Sequence, residues 1–133
     1  MIQKDKQLLL IDLCSRLPYD GLMVRWGDED FNIIGVCFGR VVLLKPFMSN
    51  VSGSPLVEEV KPYLRKMSNM TEEERNEAAQ FEINDLGPIG FNWNLLVSNS
   101  SELVNWLNAH HFDYRGLIEK GLALEAPKGM YKI

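Results

Sequence analysis

The chain has 133 residues, the size of one domain that buries roughly two-thirds of its unfolded surface. Apolar residues make up 46% and charged residues 24%, so a core can form without a metal or a disulfide framework. The net charge of −4 argues against a general attraction to nucleic acid or anionic membrane, and the apolar run Leu8–Ile11, broken by Asp12, is far too short to cross a bilayer.

Residues 4–17 read as a helix, because Leu10, Leu13, Cys14 and Leu17 recur at i, i+3, i+4 and i+7 while Asp5, Asp12 and Arg16 fall off that stripe. Pro18 stops it by driving the preceding residue out of the helical region, and Tyr19-Asp20-Gly21 turns the chain. The period then becomes two: Leu22, Val24 and Trp26 alternate with Met23 and Arg25, the pattern of a half-buried strand. Gly27-Asp28-Glu29-Asp30 is a polar hairpin connection, Phe31–Phe38 resumes β-branched and aromatic character, and Gly39-Arg40 turns into Val41–Leu44, which Pro46 closes. Residues 48–55, MSNVSGSP, form a turn-rich loop. Leu56–Leu64 is extended, and Pro62, which has no amide hydrogen, assigns it to a sheet edge.

Thr71 followed by Glu74 is a capping box that opens a helix running to about Ile83, with Ala78, Ala79 and Phe81 on its apolar side. Gly87-Pro88 and Gly90 mark a loop, and residues 93–97 are compatible with a short strand. Asn99 and Glu102 repeat the capping-box spacing ahead of a helix over Glu102–His111, whose buried stripe is Leu103, Trp106, Leu107 and His110. The expected architecture is one α+β domain over residues 1–133. It has an N-terminal helix, a small antiparallel β-meander able to curl into an SH3-like barrel, then two helices and an irregular C-terminal tail over Gly116–Ile133 that drapes across the core. Cys14 and Cys37 lack CxxC spacing and sit among apolar residues; they read as reduced core side chains in a cytoplasmic protein.

The densest polar cluster is HHFDYRG, residues 110–116. Adjacent residues on a helix project about 100° apart, so His110 and His111 do not share an ion, and His111 with Asp113 lacks a third ligand. No metal or cofactor is expected, and the cluster reads as a helix C-terminus closed by Gly116, with His111, Asp113, Tyr114 and Arg115 as its candidate binding residues. Asp28-Glu29-Asp30 reads as a solvated hairpin tip because a short turn supplies too few oxygens for a hard cation. The segment KPYLRK carries Lys61, Tyr63, Arg65 and Lys66, basic residues around an aromatic that reads as exposed and could follow a nucleic-acid backbone, with Arg40 and Lys45 as neighbours. The next fourteen residues, 72–85, hold five Glu and one Asp against one Arg, so the basic stretch can equally offset that acidic helix. Trp26, Trp93 and Trp106 read as packing residues, and the chain has neither a Walker A loop nor a dinucleotide-binding glycine pattern.

Three stretches, LLLIDLCSRLPY, VKPYLRKMSNMTEEE and NWLNAHHFDYRGLIEKGLALEAP, together resemble a group of short proteins from gut anaerobic bacteria and their prophages or mobile elements. That group carries no assigned activity, cofactor or catalytic residue, so the resemblance implies a bacterial or phage setting and transfers no role to any position. With no complete catalytic constellation, the expected function is a non-catalytic protein-binding or adaptor module. It would act on another protein through its charged faces, among them the acidic Thr71-capped helix with Glu73, Glu74 and Glu77, or on a second copy through a strand edge, with no membrane partner. A nucleic-acid accessory role through residues 61–66 is the alternative, and a small hydrolase or metal-dependent enzyme at 110–115 the third reading.

Overall fold

The computed structural model describes residues 2–19, 21–45, 51–79 and 101–131. It is an α+β fold. Helix α1 (Gln3–Arg16) is followed by strands β1 (Met23–Trp26), β2 (Glu29–Cys37), β3 (Arg40–Leu44) and β4 (Val51–Gly53), a single 3₁₀ turn at Val57–Glu59, and β5 (Val60–Leu64). A second 3₁₀ turn at Met67–Asn69 leads to α2 (Glu72–Ala79); α3 (Ser101–Ala109) and β6 (Leu124–Glu125) complete the described elements. The expected continuation of the α2 helix to Ile83, the short strand at 93–97, the Asn99 cap, Phe81 and Trp93 lie outside the described residues. No helix among the described residues is long and apolar enough to cross a membrane.

The meander forms as the alternation requires. Val24 lies opposite Phe31 on one side and Pro62 on the other, and Leu22, Val24, Phe31, Val41 and Leu43 all point to one buried face. The polar connection is tighter than expected: only Gly27 and Asp28 turn, and Glu29 and Asp30 already belong to β2. A register shift between Ile33 and Gly35 turns Ile34 outward. Within the loop expected over 48–55, Val51–Gly53 instead pairs with β3 as a short strand.

The strand order is β4-β3-β2-β1-β5-β6, antiparallel throughout except for the parallel pair β5–β6. Among the described residues this sheet does not close, so the expected barrel is corrected to an open, strongly coiled sheet with β4 and β6 as its outermost described strands. The coiling is visible in Trp26 of β1, whose ring lies so close to Gly53 of β4 that a Cβ there would overlap it. The assignment of the Pro62 segment to an edge is likewise corrected. β5 lies between β1 and β6, and β6 reaches only Tyr63 and Leu64, so Pro62 faces no β6 residue that needs its missing amide hydrogen.

The face of α1 that packs on the sheet is Leu9, Asp12, Leu13 and Arg16, one position back from the expected Leu10, Leu13, Cys14 and Leu17 stripe. Its spacing is the same, yet it carries an acid and a base into the interior. Leu9 and Leu13 join Val24, Phe31, Val41, Leu43, Val57, Val60, Leu64 and Leu117 in the main core. A second cluster, Met70, Ala78, Leu103, Trp106, Leu107 and Phe112, sits between α2 and α3. Both cysteines are free thiols but exposed, which corrects their expected burial: Cys14 follows the rotated stripe outward, and Cys37 ends β2 on the uncovered side.

Candidate functional site

Helix α3 ends in a Schellman turn. The Phe112 amide donates to the Leu107 carbonyl (3.0 Å) and the His111 amide to the Asn108 carbonyl (3.1 Å), while Leu107 and Phe112 pack together in the second cluster. His111 fills the left-handed position usually held by glycine, with φ of +59°; it is 3% exposed, and its ring tilts against Tyr131 at 4.6 Å. His110 turns elsewhere. Its Nδ1 donates to the Trp106 carbonyl (2.8 Å), which can only accept, and its ring stacks on Trp106 at 4.2 Å. The two imidazoles therefore serve different neighbours, as helical spacing requires.

Beyond the turn the chain is tied to the end of β5. The Arg65 amide donates to the His111 carbonyl and the Asp113 amide to the Arg65 carbonyl, each at 2.8 Å, and the Arg65 guanidinium lies 4.2 Å from the centre of the Phe112 ring. The Asp113 carboxylate accepts from the amides of Leu117 (2.8 Å) and Ile118 (3.0 Å), capping a single turn that ends at Gly121. The Tyr114 hydroxyl donates to Asn108 Oδ1 (2.9 Å). Burial raises the Tyr114 pKa, although the neighbouring Arg115 and Arg16 charges oppose that shift.

Arg115 reaches back to α1. Its Nη1 donates to Asp12 Oδ1 (2.7 Å) and its Nη2 to the Ser15 hydroxyl (3.2 Å). The Arg16 guanidinium forks onto both oxygens of Asp12 at 2.9 and 3.0 Å and also donates to the Phe112 carbonyl (2.6 Å). Asp12 and Arg16 are both fully buried. Neither belonged to the expected site. Their i, i+4 spacing, acid first, was nonetheless a readable signal for a helix ion pair.

The basic segment does not act as a unit. Tyr63, expected to be exposed, is 6% exposed; its hydroxyl donates to Asp30 Oδ1 (2.6 Å), and burial followed by that bond raises its pKa. Its ring therefore presents no open face for a base. Arg65 forks onto Glu74 with two bonds of 2.7 Å. Glu74 completes the expected capping box: its amide donates to the Thr71 hydroxyl (3.1 Å) and its carboxylate accepts the Thr71 amide (3.0 Å). Burial alone would raise the Glu74 pKa, but the Arg65 and Thr71 bonds outweigh burial and hold it below its ordinary value. Lys66 pairs with Glu125 at 3.4 Å in a half-exposed contact, and Lys61 sits apart with Arg25 and Glu59 around a shallow depression. At the hairpin tip, Glu29 pairs with Lys45 (3.3 Å). Among the described residues no group of three His, Cys, Asp or Glu could hold a metal.

What the fold does bring together is Lys66, Asp113, Tyr114 and Arg115. They line one cleft of about 570 Å³, with Met67 and Ser68 beside Lys66 and with Gly116 beside Arg115. His111, Arg65, Tyr63 and Lys61 lie outside it. A second exposed feature was not among the expected sites. The turn between β2 and β3 is Phe38-Gly39, one residue earlier than expected, and both residues are left-handed, with φ of +51° and +74°. Two-residue hairpins require such angles and favour Asn or Gly at the first position. Here it is a phenylalanine, 100% exposed.

Compared with models of known families, with curated proteins and with solved structures, the chain matches none.

Proposed function

We propose that this protein is a non-catalytic binding module of a bacterial or phage cytoplasm, and that it docks onto another protein by presenting Phe38. Phe38 itself carries the reading. A large aromatic is held at a hairpin tip in full solvent contact, on a backbone conformation that costs about 1–2 kcal/mol for a side chain with a Cβ. Nothing among the described residues offsets that cost, whereas a partner pocket would: a fully buried phenylalanine contributes about 1.5–3 kcal/mol, and aromatic anchors of this kind dominate interface energetics. Ile34 and Val51, 51% and 59% exposed, add apolar surface on β2 and β4. The polar groups that would suggest catalysis are meanwhile engaged internally: Asp113 caps a turn, Tyr63 holds Asp30, and Arg65 holds Glu74.

A photo-crosslinking phenylalanine analogue placed at position 38 in bacterial cells should give one discrete adduct, while the same analogue at exposed Glu119 should give none. An adduct at twice the chain mass would identify a second copy as the partner. In parallel, Phe38→Asn should abolish partner capture while the melting temperature holds or rises. Undiminished capture by Phe38→Asn would overturn the reading.

A further inference from the structure

The buried cluster beneath the cleft is unevenly charged. Two guanidiniums, Arg16 and Arg115, share the single carboxylate of Asp12, and Arg16 Nη1 has no hydrogen-bond partner among the described residues although Arg16 is fully buried. Unmatched charge in an interior is unfavourable, and a site holding it gains from a nearby anion. Both guanidiniums lie over the Tyr114 ring, at 5.6 and 4.6 Å from its centre, and Tyr114 and Arg115 form one wall of the cleft. Lys66 and Ser68 line the same cleft. Of the acids in the cleft, Asp113 has both oxygens occupied by backbone amides, and Glu119 is exposed. Among the described residues Lys66 is held only by its half-exposed pair with Glu125.

From this arrangement we infer that the cleft binds a small phosphate monoester. Its phosphate lies between Lys66, Ser68 and Arg115, and its organic part rests on Met67, Tyr114 and Ile118. Phosphate suits these donors better than a carboxylate does. Part of the Arg115 guanidinium is committed to Asp12 and Ser15, and the donors that line the cleft come from separate side chains, Arg115, Lys66 and Ser68, whose bonds a tetrahedral oxyanion accepts from separate directions. Gly116, with φ of +74° and no atom within 4 Å of where a Cβ would stand, leaves the chain open beside Arg115.

The test uses the full chain labelled with ¹⁵N and titrated with inorganic phosphate at constant ionic strength. Saturable shifts should appear at Ser68, Arg115 and Gly116, and Lys66→Ala should weaken the response about tenfold, one charge-assisted contact, with an unchanged melting temperature because Lys66 is on the surface. Glycerol phosphate should bind more tightly than inorganic phosphate, and acetate more weakly. Shifts that spread over the chain without saturating, equal shifts with acetate, or a Lys66→Ala titration identical to the parent would overturn the site. Equal affinity for glycerol phosphate and inorganic phosphate would overturn the role given to Met67, Tyr114 and Ile118.

Discussion

Among the described residues, two that are not glycine hold left-handed backbone, and they could hardly differ more. His111 closes α3 with its ring buried against Tyr131; Phe38 turns the β2–β3 hairpin with its ring wholly in solvent. A glycine at either place would spare about 1–2 kcal/mol of backbone strain. A few residues on, a second turn makes the same pair of bonds as the α3 terminus, Leu122 amide to Leu117 and Gly121 amide to Ile118, and there glycine is used. His111 keeps its side chain because the fold buries it. Among the described residues Phe38 has no such internal return, and this asymmetry separates a residue retained for folding from one we assign to recognition.

Four substitutions or conditions would break or sharpen that contrast. The largest effect is expected beneath the His111 turn. Asp12→Ala strands two guanidiniums and should destabilise the fold by about 3–5 kcal/mol, measured by urea unfolding; a loss under 1 kcal/mol would mean that the turn does not depend on that cluster. Next is the Arg65–Glu74 fork at the strand end that carries the turn. Because the Glu74 pKa is lowered in the fold, its contribution is present above the ordinary value of 4.5 and lost as pH falls through the folded value. Glu74→Gln should cost about 1.5–3 kcal/mol at neutral pH and flatten the acid limb of the stability curve; an unaltered acid limb would assign that limb to other carboxylates. His111→Gly relieves the backbone but forfeits the buried ring, a net loss of about 1–2 kcal/mol from opposing strain and burial effects. Phe38→Asn should move the other way, stabilising by up to about 1 kcal/mol. If both substitutions shift the melting temperature in the same direction, the contrast between the two positions fails.

Much of this is legible in the sequence itself. The α1 limits, the three-stranded meander and the Thr71–Glu74 box follow from local rules, and they hold because their bonds join residues close in sequence. The misreadings share a cause. Asp12 and Arg16 look like a solvent-facing pair because the charge that buries them, Arg115, is distant in the chain. Tyr63 looks exposed between two basic residues until β1 and β2 bring Asp30 to its hydroxyl. Cys14 looks like core because a stripe of apolar spacing can be drawn through it, yet the helix sits rotated by one position to admit the ion pair. Of the expected binding residues, Lys66, Asp113, Tyr114 and Arg115 converge on one cleft, a meeting made by the parallel bridge between Arg65 and Phe112 and invisible to any short window.

The bond from Arg115 to Asp12 spans 103 positions of the chain. During synthesis α1 precedes the strands, and the hairpins of β1 to β3 can form from neighbouring residues, whereas Asp12 and Arg16 receive Arg115 and the Phe112 carbonyl only after the strands β1 to β5 and helix α3 have been made. Order of translation and order of sealing therefore run in opposite senses: α1 is made before the strands and locked only after α3. A nascent chain interrupted before Phe112 would contain β1 to β5 yet lack the lock on α1, which ties commitment to the native state to the arrival of the segment that also builds the cleft.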